Sequence, residues 1–208
     1  MKKSLYSSVV IMGVMSFLGN TGHAMGLGIF AEPYLGYGLG GNASFNSSTG
    51  TSTDYASFNG VGVGARVGTD ILGVAFGGAD FSYYPSVSST LSSTLTGLLP
   101  SGVTLSSSNN GLTRLGIVAG VSVPVLPLRG WLGFNFMDKW SSSTSTLSGT
   151  SFKLGVGFKF IPFVSVNAEY ILSSYSSVTE NGVTQNFTSG SSISTKMAMI
   201  SVSVPLSL

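Results

Sequence analysis

From residue 25 onward, apolar and polar side chains alternate with period two over stretches of about ten residues. This is the repeat of a strand whose two faces meet different surroundings. In 151–160, Phe152, Leu154, Val156, Phe158 and Phe160 share one face, opposite Ser151, Lys153, Gly155, Gly157 and Lys159. Residues 164–172 set Val164, Val166, Ala168, Tyr170 and Leu172 against Ser165, Asn167, Glu169 and Ile171. Near the start, Ile29, Ala31, Pro33, Leu35, Tyr37 and Leu39 oppose Phe30, Glu32, Tyr34, Gly36 and Gly38. The same pattern runs through 55–67, 112–123, 128–140 and 195–208, and more weakly through 73–84, where Val74 and Phe76 share the face of Asp80. The reading predicts eight strands.

The connections alternate in length. Residues 68–71, 124–127 and 161–163 read as tight turns, whereas 42–54, 85–110, 141–149 and 173–194 read as longer loops rich in Ser, Thr, Asn and Gly. Short turns on one side and long loops on the other are the pattern of an up-and-down barrel, with turns facing the periplasm and loops facing outward. No stretch of 18 apolar residues follows residue 25, so a membrane-crossing helix is not expected.

Composition decides which face points out. The chain carries 8% charged residues in 208, against about 25% in soluble domains. So few charges cannot cover a water-facing exterior. The apolar face is therefore expected to meet lipid, and the polar, glycine-rich face to fill a narrow interior. Tyr37, Tyr83, Trp140 and Phe160, near strand ends, suit an interfacial aromatic girdle.

The first 24 residues read as a secretory signal peptide: Lys2 and Lys3, an apolar run over 9–19, and Gly22, His23 and Ala24 before the cleavage point. Residues 25–208 are then the barrel domain. Loss of Lys2 and Lys3 leaves seven basic against seven acidic residues, so the basic isoelectric point belongs to the signal and no nucleic-acid partner is expected. The chain has no cysteine, and its one histidine, His23, leaves with the signal. This excludes a disulfide scaffold and a thiolate metal site, and no cofactor is expected.

With this signal, alternation and final strand, the chain resembles the small eight-stranded outer-membrane barrels of Gram-negative bacteria, the OmpA/OmpX-like transmembrane type. The resemblance covers residues 25–208 and implies an all-β, antiparallel, up-and-down transmembrane β-barrel with short periplasmic turns and long extracellular loops. It also implies outer-membrane lipid and lipopolysaccharide as surroundings, and the barrel assembly machinery as a partner that reads the last strand. In that family the strand usually ends in an aromatic residue; here it ends Val204, Pro205, Leu206, Ser207, Leu208. An appended peptidoglycan-binding domain is not expected. Barrel enzymes of the outer membrane resemble hydrolases or acyltransferases that place a histidine beside serine or a carboxylate. The chain beyond residue 24 has no histidine, so a non-enzymatic role is expected.

Glu32, Arg66, Asp80, Arg114, Arg129, Lys153, Lys159 and Glu169 project inward on this register. Charges in a narrow low-dielectric interior must be paired, which makes them a structural ion-pair network. The alternative is a narrow ion path, in which five basic against three acidic groups favour anions. Gly36, Gly38 and Gly40, like Gly60, Gly62 and Gly64, lie within strands with no following helix, so they read as interior packing and not as a nucleotide loop.

The loops are the remaining place for recognition. Leu91, Leu95, Leu98 and Leu99 recur at helical spacing before Pro100, as a lid or as a contact for an apolar ligand or lipid. Asn181-Gly182 between two Val-Thr pairs reads as a hairpin turn that carries the last strands above the membrane as a ribbon. The expected role is structural or cell-surface interaction through the extracellular loops, with a narrow transport or apolar-ligand-binding barrel as the alternative.

Overall fold

A computed structural model describes residues 27–47, 50–89, 110–123, 126–142, 145–161, 163–180, 182–187 and 191–207. The signal reading and the four loop leucines lie outside them. Seven long strands follow one another: β1 (Leu27–Ser47), β2 (Gly50–Ile71), β3 (Ala75–Ser89), β4 (Asn110–Val123), β5 (Leu128–Ser141), β6 (Ser145–Ile161) and β7 (Val164–Glu180). Then come β8 (Val183–Asn186), β9 (Ser192–Ser203) and β10 (Leu206–Ser207).

Strands β1 to β7 pair in chain order, all antiparallel, and β9 pairs with both β7 and β1. The sheet thus closes into an eight-stranded barrel, as the alternation predicts. Short β8 only extends β7, from Glu180↔Val183 to Ser177↔Asn186. Pro205, which has no N–H, separates β9 from β10; Val204 N–H still reaches the Pro33 carbonyl at 3.0 Å, and Ala31 pairs with Leu206.

The first tight turn lies three residues later than 68–71 predicts. Residues 68–71 are paired strand, and the turn is centred on Leu72 (φ 54°) and Gly73 (φ 68°), closed by Val74 N–H to Ile71 O at 3.0 Å. Two left-handed central residues make the hairpin turn whose twist matches that of the strands. Asp70 Oδ1 accepts a hydrogen bond from Gly73 N–H at 2.6 Å and fixes it.

Three of the four expected loops are mostly strand. Residues 42–47 pair with 50–55, 145–148 with 177–180, and β7 runs on to Glu180. The reason is an inversion of polarity along the barrel axis. In the half next to the short turns, the outer face is apolar: Leu35, Val63, Phe81, Ile117, Leu132, Phe152 and Val166 are exposed, while the inner face buries charges. Toward the loop side, Asn42, Asn59, Ser88, Lys139, Thr150, Ser174 and Lys196 face outward, and Phe58, Val87, Leu112, Trp140, Leu147, Val178 and Ile193 are buried within. One half is built for lipid outside and the other as a water-soluble barrel is built.

Bulges accompany the changeover. Register shifts fall between Gly38 and Gly40 in β1, between Tyr84 and Val87 in β3, across Phe136 and Met137 in β5, and at Ser176 in β7. A single extra residue exchanges the two faces of everything beyond it. This corrects the reading of Trp140, which is not a girdle residue but lies 1% exposed in the interior, 5.1 Å from the Phe58 ring. Tyr37, Tyr83 and Phe160 do face outward.

Candidate functional site

The barrel interior is stacked in three layers. Nearest the short turns, Phe30 and Phe76 meet edge to face at 5.6 Å and form an apolar floor with Val118 and Trp131. Nearest the loops lies the larger cluster that includes Phe58, Tyr84, Trp140, Leu147, Tyr175 and Ile193. Between them sits a network of ionised side chains.

Arg66, from β2, is its hub. Its guanidinium pairs with Glu169, with Glu32 at 3.2 Å and with Asp80 at 3.7 Å. It also lies between two rings, 4.7 Å from the centroid of Tyr34 and 4.5 Å from that of Trp131. Arg129 forks onto both oxygens of Glu32, one bond at 2.7 Å, and Trp131 packs against it as well. Lys153 bridges Asp80 and, at 3.4 Å, Glu169. Tyr34 Oη donates to Asp80 Oδ1 at 3.1 Å. Asn167 completes the layer by accepting from Arg129 at 3.0 Å and donating to Ser203 at 2.9 Å. In a low-dielectric interior each partner offsets desolvation of the other, and bidentate Arg–carboxylate geometry does this best.

Close packing depends on glycine, as two positions illustrate. A Cβ at Gly155 would run into the Trp131 indole, and one at Gly62 into the Tyr84 ring. The glycines on the inner face therefore make room for the aromatic side chains that press on the charged layer.

Six of the expected inward charges, Glu32, Arg66, Asp80, Arg129, Lys153 and Glu169, meet in this one network. Arg114 is buried apart from it, toward the loop side, and pairs with Asp138 at 3.0 Å. Lys159 is a correction: it is exposed at the turn end of β6, where a register shift between Lys159 and Ile161 ends the inward series. Asp138 is the residue that strict alternation hides. It is fully buried and accepts from Arg114, from Ser173 at 2.7 Å and from Tyr175 at 3.0 Å. Its signal in the sequence is a lone carboxylate beside Lys139 on a face that otherwise reads as lipid-facing.

With Lys159 outside and Asp138 inside, the buried charges among the described residues are four basic (Arg66, Arg114, Arg129, Lys153) and four acidic (Glu32, Asp80, Asp138, Glu169). The excess that would favour anions vanishes. A cavity of about 10 Å³ beside Arg114, Trp140, Tyr175 and Met197 has room for about one water molecule. On the outer face, a groove of about 470 Å³ between Ile117, Leu132, Phe152, Leu154 and Tyr170 is almost wholly apolar. Among the described residues, no three His, Cys, Asp or Glu side chains are grouped as a metal ion would require.

Several solved structures resemble this chain. Neisserial surface protein A is 17% identical, with 85% of this chain and 96% of that one covered, at a TM-score of 0.45. The outer membrane protease OmpT of Escherichia coli is 11% identical over 87% and 97%, at 0.47. Ail, the attachment invasion locus protein of Yersinia pestis, is 12% identical over 88% and 100%, at 0.39. No curated protein matches the sequence. Residues 15–203 match the family model of the outer membrane protein beta-barrel domain, and the chain belongs to that family: it is a closed, eight-stranded transmembrane barrel.

Proposed function

We propose that this barrel has no enzymatic activity and serves as a structural or surface-interaction element of the Gram-negative outer membrane. In this reading it is exported by a signal peptide cleaved after Ala24, with its short turns in the periplasm and its loop side outside. The observation that supports it best is the filling of the interior: a neutral, mutually paired charge layer lies between two apolar clusters. A barrel packed in this way offers its surroundings only its outer surface and its loop side. There the strands run beyond the apolar belt and carry Ser, Thr and Asn outward, a hydrated platform from which the β7–β8 hairpin is presented.

Planar-bilayer recordings, together with acyl-chain analysis of isolated membranes incubated with the protein, test the reading. It predicts no stable conductance and no change in lipid composition. A steady conductance would favour transport, and altered acyl chains would favour a histidine-independent enzyme.

A further inference from the structure

The two ends of the apolar belt are unlike. On the loop side it stops sharply at Asn42, Asn59, Lys139, Thr150, Ser174 and Lys196. On the turn side it does not stop at all. Leu72 (74% exposed), Val74, Leu126, Phe160, Ile161 and Phe163 (67% exposed) continue it around the rim, and the exposed ionisable side chain there, among the described residues, is Lys159, with Asp70 half-buried. Turns that stand in water are built from Gly, Asn, Asp and Ser.

Belt height gives the rim a reason. In β3 to β7 the outward apolar series spans nine residues each, 75–83, 115–123, 128–136, 152–160 and 164–172. The eight Cα-to-Cα steps across nine residues, each rising about 3.3 Å on a strand tilted about 40°, cover about 20 Å of bilayer normal, short of the ~25 Å apolar band of such barrels. In these five strands the turn residues supply the missing few ångströms; in β1 the outward apolar series already runs over 27–39. Leu72 itself occupies a left-handed backbone position (φ 54°), where Asn or Gly would meet less strain, so its bulk is kept against local preference.

We infer that the turn-side rim is immersed in the bilayer, with Leu72, Leu126 and Phe163 seated at the boundary of headgroups and acyl chains of the leaflet that surrounds them. The occupant of this surface is phospholipid because the rim is continuous with the lipid-facing belt and almost uncharged. Lys159 then lies at phosphate depth, where its ammonium can reach a headgroup. The barrel sits deep on the turn side and projects its polar-walled half on the other.

The natural absence of cysteine permits a direct test. Leu72→Cys, Leu126→Cys, Phe163→Cys and, as a water-facing reference, Thr150→Cys are each labelled with an environment-sensitive fluorophore and refolded into phosphatidylcholine vesicles. Heat-dependent gel mobility selects folded barrels. The expected result is quenching of the three rim labels by brominated lipid and a several-fold lower iodide quenching constant than for Thr150→Cys. Rim labels as open to iodide as the reference would overturn the inference. So would excimer formation between pyrene labels at Phe163→Cys, which would identify a second copy of the chain as the occupant.

Discussion

Arg114 and Asp138 meet at 3.0 Å in the loop-side half of the barrel, and they meet because β5 carries one extra residue. Leu115 faces Met137 while Gly116 faces Asn135, so Phe136 has no partner on β4. Without that bulge, Asp138 would point to the outside and Arg114 would be a buried charge with no counterion. Removing one partner of such a pair costs about 3–5 kcal/mol, whereas replacing both with apolar groups can be neutral. Asp138→Leu should therefore lower the urea unfolding midpoint in vesicles markedly, and Asp138→Leu with Arg114→Met should recover most of it. Additive losses in the double variant would contradict the pairing.

The Trp131 indole occupies the space that a side chain at Gly155 would need. Gly155→Val should displace the ring from Arg66 and Arg129 and cost about 1–3 kcal/mol, the range for overpacked cores. Trp131→Leu in the same chain should restore part of the loss. Equilibrium unfolding followed by far-ultraviolet circular dichroism measures both.

Gly182 holds the β7–β8 hairpin with a φ of 80°. A β-branched residue there is strained, so Gly182→Val should speed amide exchange at Val183, Thr184, Gln185 and Asn186. These residues are exposed and pair on one side with β7. The global unfolding midpoint should not move, because the ribbon lies beyond the closed barrel.

Much of this architecture is legible in the alternation alone. In β6 and β7, strict period two places Lys153, Asn167 and Glu169 inside and Phe152, Val156 and Val166 outside, where they are found. What alternation cannot supply is the position of a bulge. The one at Phe136 hides Asp138 and sends Trp140 to the wrong face, while extending period two into the turn wrongly carries Lys159 inside. The loop-side strands escape notice for another reason. Thr146, Leu147 and Ser148 do alternate, but with water outside and an apolar core inside, the reverse of the neighbouring belt. Their Ser and Thr content reads as loop when the reference is lipid. Which residues pair with which also lies beyond the pattern: Arg66 and Glu169 are 103 positions apart, and only barrel closure brings them together.

The inversion of polarity along one continuous barrel is the centre of the account, and intermolecular nuclear Overhauser effects between backbone amides and acyl-chain methylenes, in lipid nanodiscs, test it most directly. Lipid contacts should be seen through 152–160 and 164–172 and should cease at Thr150 and Ser174, with water contacts from there to Ser145 and Glu180. Acyl-chain contacts that continue to Ser145 and Glu180, or water contacts throughout 152–160, would contradict it.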